Sequence, residues 1–406
     1  MNICMVLEDR YFPPDIRVEK EARALLNAGH KIILLSLGRE GGLLVEDVRG
    51  IQVIRILPPK NILSRLHRFI PFSLFFVDSF WKAVLEDIMK HYKIDVIHVH
   101  DLPMVKTAQI VAKKCGISII ADLHENFPEA LKEGRKGYRS LYTKISGSLL
   151  SPSRFNRMAK SILLQIDHII TVIDEGKEFY SQEYGIPKNK ISVIMNTEDL
   201  EHYDAISIQN NLLFKWQNNF VVSYIGGFGP HRGIDTAIKA MSAIVEAIPH
   251  AKLLLVGGKG SPSFEQSMRD LCKELEVEDY VEFTGWVDFQ QVPTYIALSS
   301  VCLIPHHASG HTNSTIPHKL FQYMAMKKPI VTTDCVPLKR IVEETHSGIV
   351  VLSGDARAMA EAVIRIYHNP DLARQCGENG RKAVETKYNW KNESEKLIKL
   401  YVRFSE

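Results

Sequence analysis

Short apolar runs alternate with amphipathic stretches along the whole chain, and this alternation limits the available folds more than any other feature. Runs at 3–7, 31–36, 53–57, 96–100, 118–122, 168–172 and 191–194 have the length and branched-aliphatic content of buried strands. The stretches between them carry apolar residues at helical spacing. Strands that alternate with helices build a parallel sheet covered on both faces, because parallel neighbours need a crossover. A polar stretch at 204–219, rich in Gln and Asn, reads as a linker. The alternation then resumes at 221–225, 252–256, 281–283, 301–304, 330–333 and 349–352. A chain of 406 residues exceeds one ordinary core. Two α/β domains are therefore expected, at 1–205 and 206–389. Open sheets of this kind bind ligands beyond the carboxyl ends of their strands, so the strand-end loops are where chemistry is sought.

Bulk properties exclude several classes. The chain is 45% hydrophobic and 24% charged, as soluble globular proteins are. A net charge of +3 gives no field for a nucleic acid. The six cysteines are scattered without a Cys-x-x-Cys pair, which reads as reduced thiols in a cytoplasmic protein. The first residues turn acidic at Glu8 and Asp9 and read as a strand, not a signal peptide. The most apolar candidate for a membrane span, 69–80, is broken by Pro71 and Asp78 and is shorter than the roughly 20 residues required.

One stretch reads as a polar loop, a helix started by proline, and a buried strand: Asn313-Ser314-Thr315-Ile316-Pro317-His318-Lys319 continues through Gln322 to Val331. Free amides at the helix start and the charge of Lys319 favour an anion, a phosphate first. A capped surface helix leading into a core strand is the alternative. Upstream, Val221–Ile225 runs into Gly226-Gly227-Phe228-Gly229-Pro230-His231-Arg232-Gly233. Glycines there admit a ligand close to the backbone, and Arg232 can fork onto phosphate oxygens. A plain strand–helix turn with a solvated arginine would look the same. A third strand ends in Gly257-Gly258-Lys259-Gly260, and a fourth in Thr284-Gly285-Trp286, where packing is the preferred reading of the tryptophan.

These motifs resemble the retaining glycosyltransferases of family 4, which have the two-domain GT-B fold. Pro317-x-Lys319-Leu-Phe-x-Tyr323-Met324-Ala325 and Lys328-Pro329-Ile330-Val331 are similar to the branch that builds bacterial surface polysaccharides. The resemblance implies two doubly wound Rossmann-like domains facing across a cleft. The final helix would cross back, which adds 390–406 to the first, acceptor-binding domain. It also implies a nucleotide-diphosphate sugar as donor substrate, no further cofactor, and a glycan or polyprenyl-linked acceptor. Arg232 and Lys319 would hold the diphosphate. Gly227, Gly229, Gly257, Lys259, Gly285, Asn313, Ser314, Thr315, Ile316 and Gln322 would line the donor site. The family brackets the donor with two glutamates spaced by seven residues; here Ser314 and Gln322 occupy those positions. An amide can still hydrogen-bond ribose hydroxyls, without the charge-assisted bond of a carboxylate.

In the first domain, Asp15 and Arg17 follow a proline turn at Pro13-Pro14, similar to a branch with Asp-x-Arg-Val; Asp15 also reads as a helix cap. Two strands end in His98-Val99-His100-Asp101 and Asp122-Leu123-His124-Glu125. No metal site is expected from them. By resemblance, His124 contacts the donor sugar near the reacting carbon, Glu125 is an acceptor contact or base, and Asp15, Arg17 and His100 face the acceptor. A capping cluster at a helix start is the alternative. The chain has no Asp-x-Asp, which suits metal-independent stabilisation of the leaving group. Eight Lys/Arg and one acid between 132 and 160, and the segment Leu63 to Phe72, suggest contact with an anionic membrane at the inner face of the plasma membrane. Solvated basic helices are the alternative. The expected function is a metal-independent glycosyltransferase of hexosyltransferase type in surface polysaccharide biosynthesis. The alternative is a catalytically silent GT-B protein that binds a glycan, a lipid or a partner enzyme.

Overall fold

A computed structural model describes residues 1–134, 149–205, 208–258 and 261–404. The chain divides into two compact units. The first runs from Met1 to Met195, apart from a few residues around Glu133, and takes in the C-terminal residues from Glu393; the second holds Asn196–Asn392. The change of unit thus falls ten residues before the expected position. Tyr203 is buried and Asp204 pairs with Arg381 at 2.8 Å, which ties the helix Leu200–Asp204 into the second unit. The polar stretch expected as a linker carries another helix, Asn210–Trp216.

The first sheet contains β1 (Asn2–Tyr11), β2 (Lys31–Leu37), β3 (Val45–Val48), β4 (Ile51–Ile56), β5 (Val96–His100), β6 (Ser118–Leu123), β7 (His168–Thr171) and β8 (Ile191–Val193). Their order is β3-β4-β2-β1-β5-β6-β7-β8, parallel except for the antiparallel edge pair β3–β4. The second contains β9 (Phe220–Gly227), β10 (Ala251–Gly258), β11 (Val281–Gly285), β12 (Val301–Ile304), β13 (Ile330–Thr333) and β14 (Gly348–Val351), in the order β11-β10-β9-β12-β13-β14, with every pairing parallel. Every strand expected from the sequence is present, and β3 is the addition.

Both sheets reverse their direction of winding beside the first strand of the unit: β1 lies between β2 and β5, and β9 between β10 and β12. Such switch points leave a crevice where the flanking loops part. The strands that form them are buried: Val6, Leu35 and Val99 in the first unit and Val222, Leu255 and Leu303 in the second are fully enclosed. Helices close each core, through Trp81, Leu85 and Val111 in one and Ile238, Met241 and Val363 in the other. Burying each such side chain contributes roughly 1.5–3 kcal/mol, so the backbone under each crevice is firmly held.

Candidate functional site

In the second unit the switch-point loops meet at unusually short range. Gly233 has φ +65°, and a Cβ there would come within 1.7 Å of the Pro305 carbonyl oxygen that follows β12. His307 N–H donates to the His231 carbonyl at 3.0 Å, closing the two loops on each other. Arg232 projects from this turn with Nη1 at 3.4 Å from His306 Nε2. On the neighbouring helix, His318–Ala325, Lys319 is only 7% exposed. Its Nζ lies 3.6 Å from the Tyr224 ring centroid and has no hydrogen-bond acceptor among the described residues. Gly226, with φ +141°, leaves it room: a Cβ there would stand 2.8 Å from Nζ.

The electrostatics of this crevice are one-sided. Burial, reinforced by Arg232, holds the Lys319 ammonium well below the ordinary lysine range. Burial and Arg232 likewise push His231 down to about 3 and His311 to about 4, and with Lys319 they keep His306 neutral. Three imidazoles therefore stay uncharged while two cations face the same space. Asp235 is taken by His307 at 2.9 Å and by Lys239 at 3.1 Å. A buried cation without a partner costs several kcal/mol unless an anion joins it.

The other residues expected at the donor site have varied positions. Gly227 accepts the Tyr224 hydroxyl at 2.7 Å through its carbonyl, and Gly229 accepts the Arg232 N–H at 2.9 Å. Gly257 abuts Gly226, where a Cβ would meet the Gly226 carbonyl at 2.4 Å; Gly285 has φ +70° at the end of β11. Asn313 accepts from Val336 N–H and so caps the next helix. The Ser314 hydroxyl turns back to the Gly310 carbonyl at 2.7 Å. Thr315 is half-buried; Ile316 is buried and its carbonyl accepts from Asn196. The Gln322 amide donates to Glu198. Lys259 lies outside the described residues. Trp286, for which packing was the preferred reading, is 60% exposed beside the β10 and β11 glycines.

In the first unit, the groups that gather at the switch point are paired. Arg17, 4% exposed, forks onto Asp122 at 2.9 and 2.7 Å, reaches Glu21 at 2.9 Å and donates to the Ile194 carbonyl at 2.9 Å. It is a strut inside the unit, where the sequence suggested an acceptor contact. Asp15 caps the helix Ile16–Asn27 by accepting from Val18 N–H, and also pairs with Arg10. His100 is buried behind His124, 3.2 Å from both Asp122 and His124. Burial and His98 push it down to about 3.

His124 Nε2 lies 2.8 Å from Asp122 and its Nδ1 3.4 Å from Asp101. Burial opposes its charge, yet the two carboxylates prevail and raise it to about 9. At neutral pH it is an imidazolium with both N–H groups directed at carboxylates, so it can stabilise negative charge but cannot accept a proton. Glu125, half-buried, adjoins it. Glu21, His98, His100 and Asp122 set one donor atom each within 4.8 Å of one another, as metal ligands would. Arg17 already binds both carboxylates, and its guanidinium would repel a cation there.

Sequence reasoning missed Tyr224, His306 and Glu198. No motif marks them; each acquires its role from a contact across 74 to 124 residues or from a ring face.

Comparison with known proteins agrees with this geometry. Residues 16–202 match the family model described as Glycosyltransferase Family 4, and residues 209–383 match Glycosyl transferases group 1. An uncharacterized glycosyltransferase of Methanocaldococcus jannaschii is 23% identical over 413 residues, covering 99% of this chain and 98% of that one. The capsular polysaccharide biosynthesis glycosyltransferase CapM of Staphylococcus aureus is 24% identical over 235 residues, covering 53% and 56%. Among solved structures, a sucrose-phosphate synthase from Thermosynechococcus elongatus superposes with a TM-score of 0.78 at 20% identity, covering 99% and 98%. Anabaena HepE in complex with UDP-glucose gives 0.73 at 14%, covering 99% and 100%. The two units thus have the GT-B fold. The chain belongs to the family 4 glycosyltransferases.

Proposed function

We propose that this protein is a retaining, metal-independent glycosyltransferase of hexosyltransferase type. It takes its sugar from a nucleotide-diphosphate donor and passes it to a lipid-linked glycan in surface polysaccharide assembly. The observation that carries the reading is the Lys319 ammonium, buried without an acceptor beside Arg232. A diphosphate is the anion that suits two converging cations and the loop amides. As the bond from the anomeric carbon to the phosphate breaks, its electron pair passes to the phosphate oxygen, where Lys319 and Arg232 stabilise it most. The acceptor oxygen bonds to the anomeric carbon, and its proton leaves to the departing phosphate. The first unit presents the acceptor beside His124 and Glu125. The name of CapM and the UDP-glucose held by HepE are consistent with this assignment.

Peripheral attachment at the inner face of the plasma membrane belongs to the same proposal. Leu63, Ile70, Leu74 and Phe75 of the helix Ile62–Phe75 are exposed beside Arg65, and no described helix is long and apolar enough to cross a membrane. The other patch that motivated it, at 132–160, lies partly outside the described residues. One observation favours the silent-protein alternative: neither Ser314 nor Gln322 offers a carboxylate.

The test is thermal stabilisation by UDP-, GDP-, dTDP- and CMP-linked sugars. One nucleotide class should stabilise the protein, by about 2.7 kcal/mol at a hundredfold excess over Kd, and Arg232→Ala should abolish the effect. No response to any class would favour the silent protein.

A further inference from the structure

Asp101 follows β5 with φ +64° and ψ +155°, a backbone conformation essentially confined to glycine. His346, at φ +49° and ψ +36°, ends its helix in the ordinary left-handed region, which Asp101 leaves through its ψ. The place in the chain does not call for this. Asp101 precedes the short 3₁₀ turn Leu102–Met104, where an aspartate is ordinarily extended and accepts from the N–H groups that follow. Asp15, Asp78, Asp199 and Asp355 do so before other helices, with φ between −141° and −81°. Asp288, before a similar short turn, is extended at φ −62°. Asp101 makes no such cap bond. Its carboxylate is turned onto His124 instead. Oδ1 accepts the His124 backbone N–H at 3.3 Å, and Oδ2 lies 3.4 Å from the His124 ring Nδ1. The Asp101 N–H donates to the Asp122 carbonyl at 2.9 Å, which ties the ends of β5 and β6 together. Arg10 is farther away, at 3.7 Å.

We propose that Asp101 is a positioning residue for His124, its strained backbone aiming the carboxylate at Nδ1 while Asp122 holds Nε2. Glycine would adopt this backbone without strain but would present no carboxylate. With a carboxylate on each side, the imidazole has one orientation and no free lone pair, so it meets a ligand oxygen only as a donor. The contact through Nδ1 is the longer of the two and partly open, with His124 15% and Asp101 19% exposed, so this N–H is the one a ligand oxygen can share. Burial opposes the charge on His124, and Asp101 counters it more than Asp122 does. Arg17 and His100 also face the ring. That His124 serves sugar transfer rests on the proposed function; its fixing by Asp101 does not.

The experiment uses the full chain and the variants Asp101→Gly, Asp101→Ala and Asp101→Asn. Melting temperature reads the strain. Neither glycine nor alanine carries a carboxylate, and on ordinary backbone glycine is the less stable of the two. At 101 the glycine variant should melt higher than the alanine variant, by about 5 °C. An alanine variant that fails to fold beside a glycine variant that folds has the same meaning. The fixing of His124 is read from ¹⁵N-histidine spectra across pH, its signal assigned by loss in His124→Gln. Its midpoint of about 9 should fall towards the ordinary 6.5 in Asp101→Gly and Asp101→Asn, by at least about one pH unit. A merely structural residue would leave it in place. Turnover is read as release of nucleoside diphosphate from the nucleotide sugar that stabilises the protein. In Asp101→Asn, kcat should fall more than about tenfold and KM change less than about threefold. Glycine melting at or below alanine overturns the strain. A midpoint unmoved in both variants overturns the positioning role. An unchanged kcat beside a lowered midpoint removes the pair from the reaction. Absence of turnover with every donor by the unmodified protein overturns the proposed function alone, and melting and titration still decide the role of Asp101.

Discussion

The two switch points both bury charge and treat it in opposite ways. In the first unit, Arg17 is forked onto Asp122, and His124 is held by Asp122 and Asp101. In the second, Lys319 is as well buried as Arg17, yet the neighbour its Nζ faces is an aromatic ring, and its nearest charge is another cation. Paired buried charge is part of the architecture and needs nothing further. Unpaired buried charge waits for a ligand. The contrast separates struts from contacts where residue type alone cannot, since Arg17, Arg232 and Lys319 all read from sequence as ligand contacts, the first to the acceptor and the other two to the diphosphate.

The contrast can be tested by removing one cation from each side. Arg17→Met leaves Asp122 and Glu21 buried without their cation, and should destabilise the protein by about 3–5 kcal/mol in urea unfolding. A loss under about 1 kcal/mol would mean the cluster is not the strut described. The next effect concerns His124, whose native value of about 9 lies above its ordinary 6.5. Its contribution is complete below about pH 6.5 and is lost as pH rises through 9, at most about 3 kcal/mol in all. His124→Gln should flatten the stability profile in that window, measured by denaturant midpoints at several pH values. A profile that keeps its slope would place the charge elsewhere. The smallest effect has the opposite sign. Lys319→Met removes an unpaired charge and should stabilise the ligand-free protein by about 1–2 kcal/mol, read as a rise in Tm. A loss of stability would show that Lys319 has a structural partner after all.

Much of this architecture was legible in the sequence because buried parallel strands are near-continuous apolar runs. The missed strand, β3, is Val45-Glu-Asp-Val, an edge strand whose two acids hide its pairing. The change of unit was misplaced for a related reason. It falls within Met195-Asn196-Thr197-Glu198, which lacks the glycine and proline that mark breaks, while the polar composition further on drew the boundary there. At the candidate site, Arg232 and Lys319 stood out in the sequence because helix starts and glycine loops are where phosphate is sought. Their difference from Arg17 was not, because burial with or without a partner depends on contacts far apart in sequence. Arg17 meets Asp122 across 105 residues, and Gln322 meets Glu198 across 124.

The central claim is that Lys319 lacks a partner until a diphosphate arrives. It is tested most directly by titrating the stabilising nucleotide sugar at several pH values from about 7 up towards the ordinary lysine value of 10.5, each in two buffers of different ionisation enthalpy. A nucleotide sugar has no titrating phosphate of its own near pH 7. Burial and Arg232 hold Lys319 low before binding, and the anion restores its proton. The account predicts net proton uptake by the unmodified protein, and neither uptake nor appreciable affinity in Lys319→Met. Binding of equal strength in that variant, with the same proton balance, would contradict it.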